Sequence, residues 1–360
     1  MKNLPGHILS ATRLTRQGRL KEATALLQAN LRQALPPEAS APSGGLPSAL
    51  VHLDPAAARP AAARLAVRRA RSRPPASRNV PGDRFESRTF AGPAGSRPYK
   101  LYIPSLYCGQ PLPLIVMLHG CTQSPDDFAA GTRMNEQAEA HGFVVAYPAQ
   151  IQSANMSRCW NWFEGKDQQR GGGEPAILAG LTREVMDDLA IHPDRVFVAG
   201  LSAGGAAAAI LGATYPDLYA AVGVHSGLAC GSAHDMSSAF AAMQRGGSPA
   251  PRTMSPGRLV PTIVFHGDSD ATVNAVNGEQ VIAHAGAGFD LRSETVRGRS
   301  QDGVSFTRTV SRDRSGDVAL EHWLVHGGGH AWSGGSAAGS FTDSRGPDAS
   351  AEMARFFLRR

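Results

Sequence analysis

The 360-residue chain has no apolar run that approaches the roughly 18 residues of a membrane-spanning helix. Its first residues, MKNLPGH, lack the continuous apolar stretch of a secretory signal, and basic side chains follow soon after them. We therefore expect no transmembrane segment and a cytoplasmic location.

Cysteine is scarce, with only Cys108, Cys121, Cys159 and Cys230 in the chain. No CxxC or CxxH pair occurs, so cysteine spacing gives no metal site. We predict that the protein needs neither a metal ion nor an organic cofactor. In a reducing compartment, the simplest expectation is four inert thiols.

Positive charge is concentrated at one end of the chain. The net charge is +6, yet residues 1–80 alone carry thirteen Lys and Arg against three Asp and Glu. The rest of the chain is therefore slightly acidic, which argues against a nucleic-acid-binding protein.

Composition divides the chain into three parts. Residues 1–35 are predicted to form an amphipathic helical segment, because Leu20, Ala23, Leu27 and Leu31 recur at three- and four-residue spacing. Residues 36–82 are rich in Pro, Ala and Arg and are predicted to be a basic linker. Residues 83–360 are predicted to form one large folded domain.

The third part alternates between short apolar strands and helices. Strands are predicted at 99–103, 114–118, 143–147, 195–199, 219–224, 260–265, 304–311 and 319–325, and helices at 126–141, 175–190, 203–214, 277–285 and 348–359. This order predicts an α/β fold with a mostly parallel sheet and helices on both faces. Chemistry in such sheets collects at the carboxyl ends of the strands.

The most informative motif is VFVAGLSAGG at residues 196–205, where an apolar strand ends in G-x-S-x-G and an alanine-rich helix follows at once. This context is typical of a nucleophile elbow, in which glycines permit a sharp turn and the serine hydroxyl stands above the sheet. The helix directs its N-terminus at the same point. We predict that Ser202 is a nucleophile.

A serine nucleophile of this kind needs a carboxylate and then a histidine later in the chain. One downstream strand ends in HGDSD, and we favour Asp270 as the acid because it reaches further into the loop. Asp268 stays the alternative, and both carboxylates also fit a turn cap. The last strand leads into HGGGHAW, whose glycines favour His330 as the base. We expect His326, at the strand end, to pack or bond to backbone.

The oxyanion that forms during ester cleavage needs two N–H donors. The residue after the nucleophile, Ala203, supplies one. The apolar strand that ends in HGCTQ at residues 119–123 precedes the serine, so the N–H of Cys121 is the predicted second donor. We expect His119 to brace this loop rather than to act as a second base.

Five segments together resemble polyhydroxybutyrate depolymerase-type esterases, which are related to feruloyl and acetylxylan esterases. They are LHGCTQ (118–123), RCWNWF (158–163), GLSAGG (200–205), HGDSD (266–270) and GGHAW (328–332). The resemblance implies an α/β-hydrolase fold and a triad of Ser202, Asp270 and His330. It also implies that Cys121 pairs with Cys159 beside the site.

Three tryptophans lie in these motifs. Trp160 and Trp162 alternate along one loop and are predicted to line an apolar acyl-binding groove, with core packing as the alternative. Trp332 follows the predicted base and either lines the same groove or buttresses His330. The resemblance implies a serine carboxylesterase that cleaves polyhydroxyalkanoate polyester or its oligomers, with feruloyl, acetyl-sugar or short-acyl esters as the alternative.

We expect the chain to depart from secreted depolymerases, since its sequence predicts no signal peptide and no polymer-binding domain after the hydrolase. We therefore expect it to act on amorphous granules or released oligomers. The N-terminal segment is expected to dock on a granule surface or a partner, or else to be a dispensable extension. A non-catalytic scaffold is disfavoured because no triad member is missing.

Overall fold

The computed structural model describes residues 84–247 and 258–359. The predicted helical segment at 1–35 and the linker at 36–82 lie outside this part. The elements are β1 (Arg84–Gly92), β2 (Gly95–Ile103), β3 (Leu112–Leu118), α1 (Pro125–Thr132), α2 (Met134–His141), β4 (Val144–Pro148), a 3-10 turn (Gly165–Gln168), α3 (Gly173–Asp188), β5 (Ile191–Leu201), α4 (Ala203–Thr214), β6 (Ala221–His225), α5 (Met236–Arg245), β7 (Thr262–Gly267), α6 (Val276–Gly286), β8 (Arg292–Arg299), β9 (Ser305–Arg312), β10 (Val318–Val325), β11 (Trp332–Ser333), β12 (Thr342–Asp343) and α7 (Ala349–Leu358).

The described strands include a ten-stranded sheet in the order β1-β2-β4-β3-β5-β6-β7-β10-β9-β8. The central strands from β4 to β10 are parallel, while β1 and β2 at one edge and β9 and β8 at the other pair antiparallel. The α/β class with a mostly parallel sheet is therefore confirmed.

Helices cover both faces of the sheet because the central strands are apolar on both sides. In β5, Val196 and Val198 face one core cluster, and Phe197 and Ala199 face the other. Helices α3, α4, α5 and α6 contribute to the first cluster, and α1, α2 and α7 to the second. This arrangement follows from the two-residue side-chain period of a strand.

The parallel register brings the carboxyl ends of five strands to one edge. Leu118 of β3 pairs with Gly200 of β5, and Leu201 pairs with His225 of β6. Further along the sheet, Gly267 of β7 pairs with Val325 of β10. The segments that follow these residues contain every predicted triad and oxyanion residue, so the fold places them at the same edge.

Several elements differ from those predicted. The helix expected at 126–141 is two helices, because Arg133 adopts a left-handed conformation with φ of 54° and ends α1. Strands β1 and β8 were not predicted, because most of their side chains are exposed or only partly buried and lack a clear apolar pattern. Helix α5 was also not predicted, although it is amphipathic and buries Ala239 and Ala242. In the part of the chain that the structure describes, no helix is long and apolar enough to cross a bilayer.

Candidate active site

Ser202 occupies the turn between β5 and α4, with φ of 58° and ψ of −119°. A non-glycine residue rarely adopts such a conformation, which costs about 1–3 kcal/mol and is concentrated at functional sites. A Cβ on Gly204 would lie 2.0 Å from the carbonyl oxygen of Leu118, so the start of α4 packs directly on the end of β3. The turn therefore fixes Ser202 at the carboxyl edge of the sheet.

Asp270 and His330 form a hydrogen-bonded pair. Asp270 Oδ2 lies 2.7 Å from His330 Nδ1, and Asp270 Oδ1 accepts the N–H groups of Thr272 and Val273 at 2.9 Å. Burial acts to raise the pKa of Asp270, but the hydrogen bond and charge of His330 and the Val273 N–H bring it below its ordinary value. The ionised carboxylate therefore accepts from Nδ1–H and leaves His330 Nε2 able to accept a proton.

Asp268 pairs with a different histidine. Its Oδ2 lies 2.8 Å from His326 Nδ1, and its Oδ1 accepts the N–H of Gly327 at 2.7 Å. His326 Nε2 contacts Thr307 Oγ1 at 2.8 Å, so this histidine bonds to side chains rather than only to backbone as expected. The two carboxylates thus hold the two ends of the glycine-rich loop at 326–330, and the structure pairs Asp270, not Asp268, with His330.

His225 links the Ser202 turn to the segment that follows His330. Its carbonyl oxygen accepts the N–H of Ser202 at 2.8 Å, and its Nε2 accepts the N–H of Ser333 at 3.0 Å. Burial, together with the neighbouring charges of His266 and His330, lowers the pKa of His225 to about 3. The imidazole of His225 is therefore neutral, and His225 bonds both to the Ser202 turn and to Ser333.

The loop after β3 lies against the serine turn. A Cβ on Gly120 would be 3.6 Å from Ser202 Cβ. Three N–H groups of this loop already have partners. Those of Gly120 and Gln123 donate within the loop, to Gln123 Oε1 and the Gly120 carbonyl, and that of Thr122 donates to the Ser157 carbonyl. Among the described residues, no hydrogen bond uses the N–H of Cys121 or that of Ala203. The predicted oxyanion donors are thus available to a ligand.

His119 supports the same loop from below. Its Nδ1–H donates to the Gly120 carbonyl at 2.8 Å, and its Nε2 accepts the Gln150 N–H at 3.0 Å. Burial is the main cause that lowers the pKa of His119 to about 4. A neutral imidazole with both nitrogens engaged is a brace, as expected from the sequence.

Sequence reasoning missed a polar network that fixes the other side of this loop. Gln123 Nε2 donates to Asp127 Oδ2 at 2.9 Å and to the Ser340 carbonyl at 3.0 Å. Asp127 in turn accepts the N–H of Ser340 at 2.9 Å. Gln123 belongs to the HGCTQ motif, but Ser340 lies more than 200 residues away and no local pattern identifies it.

The three tryptophans do not line an open groove, which corrects that prediction. Trp160 and Trp332 are fully buried and Trp162 is 7% exposed. Trp160 Nε1 donates to the His119 carbonyl at 3.1 Å, and the Trp332 ring stacks on His225 with 5.1 Å between centroids. Their apolar rings pack in the core, so the core-packing alternative describes Trp160 and Trp162, and the ring that Trp332 supports is that of His225.

Cys121 and Cys159 form a disulfide with 4.2 Å between their Cα atoms, the pairing that the resemblance implies. It joins the loop after β3 to the tryptophan-containing loop. Cys108 and Cys230 lie outside this disulfide. Among the described residues, no group of three or more His, Cys, Asp or Glu side chains is placed to hold a metal ion.

The fold and the geometry of the edge site are typical of the α/β-hydrolase class. Residues 97–289, more than half of the chain, match the family model described as Esterase PHB depolymerase. The chain belongs to this family.

Similar proteins carry the names of several different esterases. Poly(3-hydroxyalkanoate) depolymerase C of Paucimonas lemoignei is 31% identical over 233 residues, which cover 61% of this chain and 54% of the relative. Feruloyl esterase B of Neurospora crassa is 31% identical over 140 residues, covering 39% of this chain and 46% of the relative. The chain spans about half the length of the curated relatives it matches.

A solved structure supports the fold. The acetyl xylan esterase from Aspergillus awamori superposes with a TM-score of 0.60 at 18% sequence identity, covering 76% of this chain and 100% of that one. At this identity the likeness concerns the fold alone.

Proposed function

We propose that this esterase works through a covalent acyl-enzyme on Ser202. His330 Nε2 takes the proton of the serine hydroxyl, and the serine oxygen attacks the ester carbonyl carbon. The negative oxygen that results is held by the N–H groups of Cys121 and Ala203. His330 then protonates the leaving alcohol, and the bond between the carbonyl carbon and the alcohol oxygen breaks.

Water completes the reaction by the same steps. His330 removes a proton from water, the hydroxide attacks the acyl carbonyl, and the serine oxygen leaves with the proton returned by His330. Asp270 keeps its charge throughout and stabilises the imidazolium that forms twice in each cycle. Each oxyanion donor contributes about 2.7–4 kcal/mol of transition-state stabilisation.

One observation carries the proposal: Asp270 Oδ2 lies 2.7 Å from His330 Nδ1, on the same sheet edge as the strained Ser202 turn. The same edge holds two unused N–H groups at Cys121 and Ala203. A nucleophile, a base, an oriented acid and an oxyanion site are the set that acyl transfer requires.

We propose hydroxyalkanoate polyester or its oligomers as the substrate class. Support comes from the family and from the Paucimonas lemoignei relative, whose match covers more of this chain than those of the feruloyl and acetylxylan esterases. The second candidate is a feruloyl, acetylxylan or short-acyl ester, which the relatives named for feruloyl and acetylxylan esterase activity favour.

The test follows the turbidity of an amorphous polyhydroxybutyrate suspension with wild-type protein beside Ser202→Ala. We expect the wild type to clear the suspension and the variant to lose at least about a thousandfold in rate, because the nucleophile is absent. The variant should keep the wild-type melting temperature, since Ala replaces a partly exposed hydroxyl.

Two outcomes would contradict the proposal in different ways. If both proteins clear the suspension, Ser202 is not the nucleophile. Clearing by neither, with turnover of feruloyl or acetyl esters by the wild type alone, would keep the mechanism and replace the substrate class.

A further inference from the structure

Arg158 lies next to the predicted oxyanion donor in space. Its neighbour Cys159 is bonded to Cys121 with 4.2 Å between Cα atoms, and consecutive Cα atoms are about 3.8 Å apart. The Cα of Arg158 is therefore within about 8 Å of that of Cys121. On its other side, the carbonyl oxygen of Ser157 accepts the N–H of Thr122 at 2.7 Å, so two links hold Arg158 beside the oxyanion loop.

The guanidinium of Arg158 carries no counter-charge in the described structure. Among the described residues, no side chain forms a hydrogen bond or an ion pair with it. Three other partly or fully buried arginines do have a counter-charge: Arg97 pairs with Glu174, and Arg308 and Arg355 pair with Glu321. Because a half-buried cation without a partner is poorly solvated, Arg158 is well suited to receive an anion.

The backbone conformation of Arg158 and its electrostatic effect on His119 are both consistent with an anion-binding residue. Arg158 has a φ of 53°, a left-handed conformation that is seldom adopted by a long side chain, and its N–H donates to the Asn155 carbonyl at 2.8 Å. After burial and the Gly120 hydrogen bond, the charge of Arg158 is a further influence on the pKa of His119, which it lowers. The positive charge of Arg158 therefore acts on His119, the residue that supports the loop after β3.

We propose that Arg158 is a specificity-determining residue that binds the free carboxylate of a hydroxyacid leaving group. This inference rests on the proposed function. In a hydroxyalkanoate oligomer, the last ester links an acyl unit to a hydroxyacid whose own carboxylate lies a few bonds from the scissile oxygen. A guanidinium matches a carboxylate with two parallel hydrogen bonds, whereas a neutral ester inside a polymer offers no such partner.

The chemistry of the acyl transfer is unchanged by this contact. The bond between the carbonyl carbon and the leaving oxygen breaks, His330 supplies the proton to that oxygen, and the carboxylate stays ionised beside Arg158. The contact therefore favours cleavage at the acid end of oligomers over cleavage within neutral polymer.

The test compares two dimers of 3-hydroxybutyrate that share the same internal ester, one ending in the free acid and one in its primary amide. The measured quantity is the ratio of kcat/KM for the acid to that for the amide. We expect a ratio of about ten or more for the wild type and a ratio near one for Arg158→Gln. Arg158→Lys should give an intermediate ratio, because ammonium keeps the charge without the two-bond geometry.

A matched control removes the same charge elsewhere. Arg297 is exposed on edge strand β8, so Arg297→Gln should keep the wild-type ratio. Added salt should lower the ratio of the wild type more than that of Arg158→Gln, because screening weakens a partly exposed charge pair. Melting curves establish that each variant is folded.

A wild-type ratio of one or below, or an equal fall for acid and amide in Arg158→Gln, would overturn the proposal. Turnover of 4-nitrophenyl butyrate separates this failure from that of the proposed function. If Ser202→Ala hydrolyses this neutral ester as fast as the wild type, the mechanism itself is wrong. If the wild type hydrolyses the neutral ester but neither dimer, the hydroxyacid assignment is overturned and the serine mechanism is not.

Discussion

At this site, the role of a residue depends more on which side chain it contacts than on its residue type. Two carboxylates of one turn, Asp268 and Asp270, hold His326 and His330 at opposite ends of a glycine-rich loop. The first pair is more than one-third exposed, and the second has a fully buried carboxylate. The buried pair is the better candidate for catalysis, since a desolvated carboxylate stabilises an imidazolium more strongly.

Replacing each carboxylate by its amide tests this division. Asp270→Asn should lower kcat by roughly 10³–10⁴-fold, because the amide does not hold Nδ1–H and the imidazole loses its working tautomer. Asp268→Asn should lower kcat by only about tenfold, through a looser loop. The measurement is kcat for 4-nitrophenyl butyrate; equal losses in the two variants would contradict the assignment of Asp270 as the acid.

The sequence identifies residues whose role depends on local motif context. Ser202 and Ala203 follow from a strand–turn–helix pattern, and the order of HGDSD and HGGGH along the chain favours Asp270 and His330. The tryptophans were placed wrongly because alternation in a loop gives no information on which side is covered. Trp160 and Trp162 are buried by elements distant in the chain.

At the scale of elements, the contact between α4 and β3 sets the shape of the site. Gly200 and Gly204 let the end of β5, the start of α4 and the carbonyl oxygens of Leu118 and His119 approach without side chains between them. This approach places the helix N-terminus beside the loop that carries Cys121. The small residues of G-x-S-x-G therefore position the proposed oxyanion donors as well as Ser202.

One methyl group should disrupt this contact. The Cβ of Gly204→Ala would lie 2.0 Å from the Leu118 carbonyl oxygen, so backbone has to move. We expect a loss of unfolding free energy of about 3 kcal/mol or more, measured by urea denaturation. In Gly165→Ala the new Cβ meets nothing within 4 Å, so this control should stay within about 1 kcal/mol of wild type. Equal stability of the two variants would contradict the close-approach argument.

The elements predicted from the sequence are those in which apolar residues repeat with the spacing of a helix or a strand. The apolar central strands β3 to β7 and helix α4 lie where expected, because their burial follows from their own residues. Strand β8 was missed because nearly all of its residues are exposed, and its pairing with β9 depends on backbone hydrogen bonds. The division of α1 from α2 depends on one left-handed residue, Arg133, which periodicity does not detect.

At the scale of the whole molecule, buried neutral histidines make stability depend on pH. Burial lowers the pKa of His119 and His322 to about 4 and that of His225 to about 3. In the unfolded chain these groups titrate near 6.5. Below that pH the unfolded state therefore binds protons that the folded state does not, and the unfolding free energy falls.

The expected loss is about 1 kcal/mol per pH unit for each such histidine as the pH falls from about 6.5 towards 4, with no slope from these groups above about pH 7. His322→Leu should reduce the change of unfolding free energy with pH by the contribution of one histidine. His192→Leu, at an exposed position, should leave this pH dependence unchanged. Urea denaturation at a series of pH values measures this. A wild-type slope of zero in that range would contradict the neutral, buried state of these side chains.

The location of the protein and the roles of residues 1–35 and 36–82 remain predictions from composition. The sequence gives their charge and, for residues 1–35, a helical spacing of apolar residues, but it does not identify what they pack against. The described part contains the proposed triad, both oxyanion donors and Arg158.

The role of Ser202 as the nucleophile is tested by finding which residue a covalent inhibitor modifies. Treatment with diethyl 4-nitrophenyl phosphate should transfer one diethylphosphoryl group per protein to the oxygen of Ser202, as the bond from phosphorus to the aryl oxygen breaks and 4-nitrophenolate leaves. The tetrahedral phosphoryl group then imitates the intermediate that the proposed oxyanion donors hold. Peptide mass spectrometry should place the group on the peptide that contains Ser202, with complete loss of esterase activity and no adduct in Ser202→Ala. A modified peptide without Ser202, or full activity after modification, would contradict the account.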